Sequence, residues 1–202
     1  MRLTDTLAVQ PDGWTLVETG WDAERAIAVG SNFLCGNGYL GYRGTTAEQR
    51  AADYVALVVS DTYDCADGKW RELTSVPNPL FVAARVGRTP LSVGRGESIE
   101  ARLDMRSGVF TASFTQQIEG VAVTVEVDRF ASYDELHLLA QRWTVVADGD
   151  LDVGIDAGID ADIWSLNGVH LPQVYFSTEH SEQHLATATT VESGVTVAVA
   201  SS

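Results

Sequence analysis

From about Arg102 onward, apolar and polar residues alternate in strand-length segments broken by short turn signals, the pattern of an antiparallel all-β domain. Phe110, Ala112 and Phe114 share one face of a predicted strand that ends at Glu119-Gly120. Val121, Val123, Val125 and Val127 then line one face of the next strand, with Thr124, Glu126 and Asp128 on the other, so this hairpin predicts one packed side and one wet side. A longer strand is predicted from Leu136 to Val146, closing in the compact hairpin turn Asp148-Gly149-Asp150, after which apolar residues resume at odd positions from Leu151. Ser193-Gly194 predicts a further hairpin.

The first hundred residues are less regular. Ten of the 18 glycines fall between Gly13 and Gly94, yet the runs Tyr54 to Val59 and Leu80 to Val86 keep strand length and β-branched content, which predicts strands joined by longer loops. Good helix formers gather only at Thr46 to Ala52, one or two turns at most. No repeat and no low-complexity linker interrupts the chain. Turn signals every ten or so residues favour a large antiparallel β-sandwich of two facing sheets, with few or no helices, over a small barrel.

Composition narrows the partners. The chain has 202 residues, 45% of them hydrophobic, enough for a sizeable core. Its 28 acidic and 13 basic residues give a formal charge of -15, a field that repels nucleic acid and anionic lipid. An inorganic phosphate would need a local cationic or helix-terminus site, and no such site is visible in the sequence. No window reaches the roughly 20 apolar residues of a membrane span, and no secretory signal is legible near the N-terminus, which predicts a cytoplasmic protein. Cys35 and Cys65 lie 30 positions apart without metal-ligand spacing and read as buried free thiols.

The most informative stretch is Phe33-Leu34-Cys35-Gly36-Asn37-Gly38-Tyr39-Leu40-Gly41-Tyr42-Arg43-Gly44. Gly36, Asn37 and Gly38 permit the positive φ of a tight turn, and Tyr39, Gly41 and Arg43 then alternate with Leu40 and Tyr42 as a strand does. A phosphate-cradling loop would need a preceding strand, a following helix and usually a Lys, which this stretch lacks. Four further segments follow or flank it in order: Trp14 with Trp21-Asp22; Asp61-Thr62-Tyr63-Asp64 with Glu72-Leu73 and Pro77-Asn78-Pro79; Leu103-Asp104-Met105-Arg106-Ser107-Gly108-Val109; and Arg129-Phe130-Ala131-Ser132 with His137-Leu138. Together they resemble the N-terminal domain of glycoside hydrolase family 65, the disaccharide phosphorylases and trehalases, from about Trp14 to the end of the chain.

The resemblance implies a galactose-mutarotase-like super-sandwich, a single N-terminal domain over residues 1–202 that lacks the last strands of its family's sandwich. It also implies that an (α/α) barrel carrying the catalytic carboxyl belongs to the same polypeptide outside this chain. In the phosphorylases, inorganic phosphate is the co-substrate and attacks the anomeric carbon with inversion, so one catalytic carboxyl suffices, whereas the hydrolases need a second. No cofactor and no catalytic residue is expected within these 202 residues. The implied partners are that barrel, an α-linked glucose disaccharide and a second copy in a homodimer. A stand-alone carbohydrate-binding sandwich is the rival reading. A mutarotase-like epimerase is another, with His137 and Glu126 or Glu135 as its acid and base types, although their spacing does not bring them together.

Three residues are candidate sugar contacts. Trp164, in Trp164-Ser165-Leu166-Asn167-Gly168, could stack on a pyranose or else anchor a core or an interdomain contact, and His170 follows it closely. Arg43 could pair with a buried carboxylate such as Asp61 or Asp64, or point toward the barrel. Asp152, Asp156, Asp160 and Asp162 invite a calcium reading, but their even numbering against odd apolar positions predicts a solvated strand face. His170, His180 and His184 sit too near turn-forming and strand-forming residues for a helical zinc pair, so no metal is expected.

Overall fold

The alternating segments pair with one another almost throughout. In the computed structural model, which describes residues 7–20, 25–65, 67–68, 70–95, 97–180 and 183–202, the chain opens with β1 (Leu7–Val9), β2 (Thr15–Thr19), one short helix α1 (Ala26–Asn32), β3 (Cys35–Gly36) and β4 (Leu40–Tyr42). Next come β5 (Leu57–Asp64), β6 (Glu72–Val76), β7 (Asn78–Val86), β8 (Thr89–Leu91), β9 (Glu97–Asp104), β10 (Val109–Ile118) and β11 (Val121–Ala131). The last are β12 (Leu139–Ala147), β13 (Val153–Asp160), β14 (Val174–His180), β15 (Gln183–Thr189) and β16 (Thr196–Ser201). No helix among the described residues is long and apolar enough to cross a membrane.

Among the described residues the strands form four antiparallel sheets. The largest runs β1-β2-β9-β10-β11-β12; the others are β3-β4-β5-β6, β13-β7-β8 and β14-β15-β16. Their apolar faces meet in two core clusters, as in the all-β sandwich expected from sequence. In the first, Phe110, Phe114, Val123 and Val125 of the large sheet meet Ala84, Val86, Leu91 and Val153 of the β13-β7-β8 sheet, with Val29 and Phe33 from α1 and its end. In the second, Leu40, Tyr42, Leu57 and Val76 meet Ala188, Val197 and Val199. Each such fully buried aliphatic or aromatic side chain contributes roughly 1.5–3 kcal/mol by leaving water, so the alternation read from sequence is also the main source of stability.

The hairpin around Glu119-Gly120 forms as predicted, with Ile118 opposite Val121, and so does the one around Ser193-Gly194, with Thr189 opposite Thr196. Three expectations are corrected. The stretch Thr46 to Ala52 is a series of turns ending in a 3-10 turn at Ala51–Asp53, whereas the α-helix lies at Ala26–Asn32. The predicted strand from Leu136 starts only at Leu139, because Leu138 N–H bonds Glu135 O within a loop. Asp148-Gly149-Asp150 does not close a hairpin: β12 belongs to the large sheet, while β13 pairs with β7, so the chain changes layer here.

The aspartate row is corrected as well. Asp152, Asp156 and Asp162 are exposed as expected, but Asp160, which follows a register shift after Gly158, is only 7% exposed, and the apolar Ile155 is 53% exposed. Asp160 Oδ2 pairs with Arg50 Nε at 3.0 Å, and Asp156 Oδ2 pairs with Arg85 at 2.6 Å. Of the two free cysteines, Cys35 is buried and Cys65 only half-buried.

Candidate functional site

The glycine-rich signature folds as a turn feeding a strand. Gly38 takes φ +88° between β3 and β4, and Asn37 holds both sides of the bend. Its Oδ1 accepts from the N–H groups of Tyr39 and Leu40 at 3.0 and 2.8 Å, while Nδ2 donates to Ser132 O and Leu136 O at 2.6 and 3.0 Å. One buried amide thus fastens the signature to the β11–β12 loop. Arg129, fully buried in β11, makes a second tie: it donates to Thr45 O at 3.0 Å and to Gln141 Oε1 at 2.6 Å, with its guanidinium 4.0 Å over the Tyr42 ring. Burial presses its pKa down, and carbonyl dipoles and the ring face, rather than a carboxylate, accept its hydrogens.

The most unusual chemistry lies where β5 and β6 meet the connection that follows β13. Asp64 and Glu72 are direct cross-strand partners, so their side chains leave the same face of the hairpin. His170, 1% exposed, is inserted between them: Nδ1 lies 3.1 Å from Asp64 Oδ2 and Nε2 lies 2.5 Å from Glu72 Oε1. Neutral imidazole has one N–H and one lone pair, so two ionised carboxylates are both satisfied only by the doubly protonated ring. Burial by itself disfavours that cation, but the hydrogen bonds to Glu72 and then Asp64, with their charges, outweigh it and hold the His170 pKa above its ordinary 6.5.

The carboxylates reach further. Glu72 accepts from Asn167 N–H at 3.0 Å and from Asn167 Nδ2 at 2.5 Å, and Asp64 Oδ1 accepts from the N–H groups of Glu192 and Ser193 at 3.1 and 2.7 Å. Val191 N–H bonds back to His170 O at 3.0 Å. Burial pushes the Asp64 pKa up, yet the Ser193 N–H, the His170 ring and the Glu192 N–H together bring it below its ordinary 3.8. Three segments far apart in sequence are therefore clasped at one corner. Asp64 and Glu72 are named by the sequence only as parts of a motif. Their partnership with His170 has no local signal, because the ring lies 106 and 98 positions downstream of them.

Arg43 and Trp164 meet elsewhere. Trp164 is half-buried on the same connection as His170, its ring edge-to-face with Tyr54 at 5.5 Å and 6.0 Å from the Arg43 guanidinium. Arg43 pairs with neither Asp61 nor Asp64, correcting that expectation. It donates to Ile27 O at 2.7 Å and Ser31 Oγ at 3.1 Å, lying along α1 in a space that exists because residue 30 is glycine: a Cβ there would stand 2.7 Å from the guanidinium. The structure thus brings Arg43 to Trp164 and sets His170 inward. Its two ring nitrogens are committed within the protein.

Of the remaining histidines, His184 is an exposed residue of β15, opposite Thr178 of β14, and His137 stacks on Tyr39 with ring centroids 4.3 Å apart. Glu126 stands opposite Thr144 in mid-sheet, while His137 lies in the loop ahead of Leu139, so the register keeps the two apart. Among the described residues no three His, Cys, Asp or Glu side chains are grouped to hold a metal ion. The motif residues Trp21 and Asp22 lie outside the described residues.

By its fold the domain is of the all-β class, an antiparallel sandwich, and it holds a histidine between paired carboxylates. The sequence matches the family described as glycosyl hydrolase family 65, N-terminal domain, over residues 16–202, and the chain belongs to that family. It is 40% identical over 188 residues to the 1,2-alpha-glucosylglycerol phosphorylase of Bacillus selenitireducens, covering 92% of this chain and 25% of that protein. It is 31% identical over 177 residues to the nigerose phosphorylase of Lachnoclostridium phytofermentans, covering 85% and 24%. A solved structure provisionally assigned as a kojibiose phosphorylase from the human microbiome superposes with a TM-score of 0.73 at 16% identity, over 96% of this chain and 32% of that one, a likeness of fold. The chain therefore spans about a quarter of the length of these curated relatives.

Proposed function

We propose that this chain is the non-catalytic N-terminal sandwich of an inverting α-glucoside phosphorylase, and that it supports an (α/α) barrel contributed by the same polypeptide. The observation that carries the reading is the 40% identity to a phosphorylase of which the chain spans only 25%. The local chemistry agrees with it. The adjacent carboxyls Asp64 and Glu72 are spent on His170, Asn167 and main-chain N–H groups, so neither is free to protonate a leaving group or to attack an anomeric carbon. In this proposal the protein works in the cytoplasm, because phosphorolysis conserves the glycosidic bond in a charged sugar phosphate that a membrane retains. A homodimer belongs to the same proposal. Trp164 and Arg43 are the side chains of this domain proposed to meet sugar or barrel, with His170 behind them.

The test is an assay of the longest polypeptide that the gene encodes with maltose, trehalose, kojibiose, nigerose and glucosylglycerol, each with and without inorganic phosphate. The expected result is glucose 1-phosphate released from at least one of them only when phosphate is present. Hydrolysis to glucose at equal rate in both conditions would replace phosphorylase by hydrolase, and inertness toward every substrate would overturn the reading.

A further inference from the structure

We propose that the Asp64–His170–Glu72 cluster is a proton-operated latch on the connection between β13 and β14, closed while His170 carries a proton on each ring nitrogen and released when one of them leaves. The inference rests on the geometry of the cluster and is independent of the proposed enzyme activity.

The latch has three parts that must agree. Asp64 and Glu72 are set opposite each other by the β5–β6 ladder, which places both carboxylates on one face of the hairpin. His170 arrives from residues 161–173, a stretch with no helix or strand of its own. That connection is fastened near its middle by Asn167 on Glu72 and by His170 on both carboxylates, and Val191 N–H closes on His170 O. The weak element is therefore the connection and the strong one the hairpin, so a broken cluster releases the former.

Loss of one ring proton converts an attraction into a repulsion. The remaining lone pair then faces a carboxylate oxygen at 2.5 or 3.1 Å, two acceptors with no hydrogen between them, in a site that water barely reaches. Among the described residues the charged groups facing the ring are Glu72 from β6 and Asp64 from β5. The 190–193 turn brings Glu192, whose side chain instead accepts from Gly68 N–H at 3.2 Å, and the connection itself brings the neutral Asn167. The raised pKa of His170 agrees with this balance and sets the release on the alkaline side of its ordinary value.

The connection also carries Trp164, so opening it changes the contact of that ring with Tyr54 and Arg43. His170 is thus a positioning residue, acting by holding the connection that carries the half-buried Trp164.

The ring is read directly by nitrogen NMR on the unaltered, labelled chain, with amide hydrogen exchange at Asn167, Glu192 and Ser193 followed across the same pH range. Both ring nitrogens of His170 should be mostly protonated at pH 6.5, where a free imidazole is half titrated, and above its pKa the protection factors of those amides should fall about tenfold per pH unit, the slope of opening linked to one proton. In Glu72→Gln a side-chain amide can donate to a neutral ring, so the dependence should flatten to less than about twofold per unit. A ring mostly singly protonated at pH 6.5, or protection that stays level while the ring titrates, overturns the latch. Should Glu72→Gln fail to fold, the ring measurement on the unaltered chain still decides.

Discussion

Asn37 is the residue on which the family signature turns. It makes four hydrogen bonds from a buried position, two along its own bend and two across to the β11–β12 loop, and truncation would strand the N–H groups and carbonyls at the other end of each. Asn37→Ala should therefore destabilise by about 2–4 kcal/mol, more than the loss of one ordinary hydrogen bond. Chemical denaturation measures it, and a cost under about 1 kcal/mol would show that water replaces the amide. Arg129 shows the limit of sequence reading at this scale. Its place in an Arg-Phe-Ala-Ser segment is legible, but a fully buried guanidinium held by Thr45 O, Gln141 and the Tyr42 ring could not be foreseen from alternation, which predicts an apolar residue inside. His170 escaped for the same reason: histidine in a polar loop reads as surface, and the carboxylates that draw it inward lie on strands far upstream.

Among the elements, the strands with strict alternation were legible almost to the residue. β10 and β11 needed only hydrophobic period and the turn between them, because each has one face on the core and one near water. Their turn is locally strained: Glu119 takes φ +54° and Gly120 φ +86°, the backbone of a two-residue type I′ turn in which the first position favours Asn, Asp or Gly. Glu119→Asn should thus stabilise the chain by about 0.5–1 kcal/mol, seen as a higher denaturation midpoint with unchanged m-value, and a lower midpoint would contradict the assignment of strain. Helix α1 was not legible, since seven residues including Ile27, Val29 and Gly30 have poor helical propensity and are held by packing of Val29 and Phe33 into the first core. Nor was the change of sheet at Asp148. The turn chemistry of Asp-Gly-Asp suits a hairpin, but Asp148 instead caps the sheet edge, exchanging bonds with Ala122 while the chain crosses to β7. Of the four aspartates only Asp160 is buried, after a register shift in the pairing of β13 with β7 that alternation within β13 does not announce.

For the molecule as a whole, the cluster at one corner makes a statement about pH. Asp64, with its pKa lowered, contributes stability that is present above 3.8 and is lost as pH falls through the lower folded value. His170, with its pKa raised, contributes stability that is complete below 6.5 and is lost as pH rises through the higher folded value. The gap in unfolding free energy between the unaltered chain and His170→Asn should accordingly be widest between these limits and narrow on both sides, as urea titrations at a series of pH values would record. A gap that widens steadily with alkalinity would reverse the sign of the argument. The strongly acidic field of the chain, -15 overall, sits over a fold whose close carboxylates are bound to His170 and to arginines, which suits a scaffold better than a site for phosphate.

In the function proposed above, this sandwich shapes an enzyme whose chemistry is performed elsewhere in the polypeptide. The most direct measurement is of the 202-residue chain alone, shown to be folded by its β-sheet circular dichroism and cooperative unfolding, then incubated with each disaccharide and inorganic phosphate. The expected result is a folded protein that releases no glucose 1-phosphate and no glucose above the uncatalysed background. Reproducible turnover by that folded chain, abolished by substitution of a carboxylate within it, would place the chemistry inside the sandwich and overturn the proposed function.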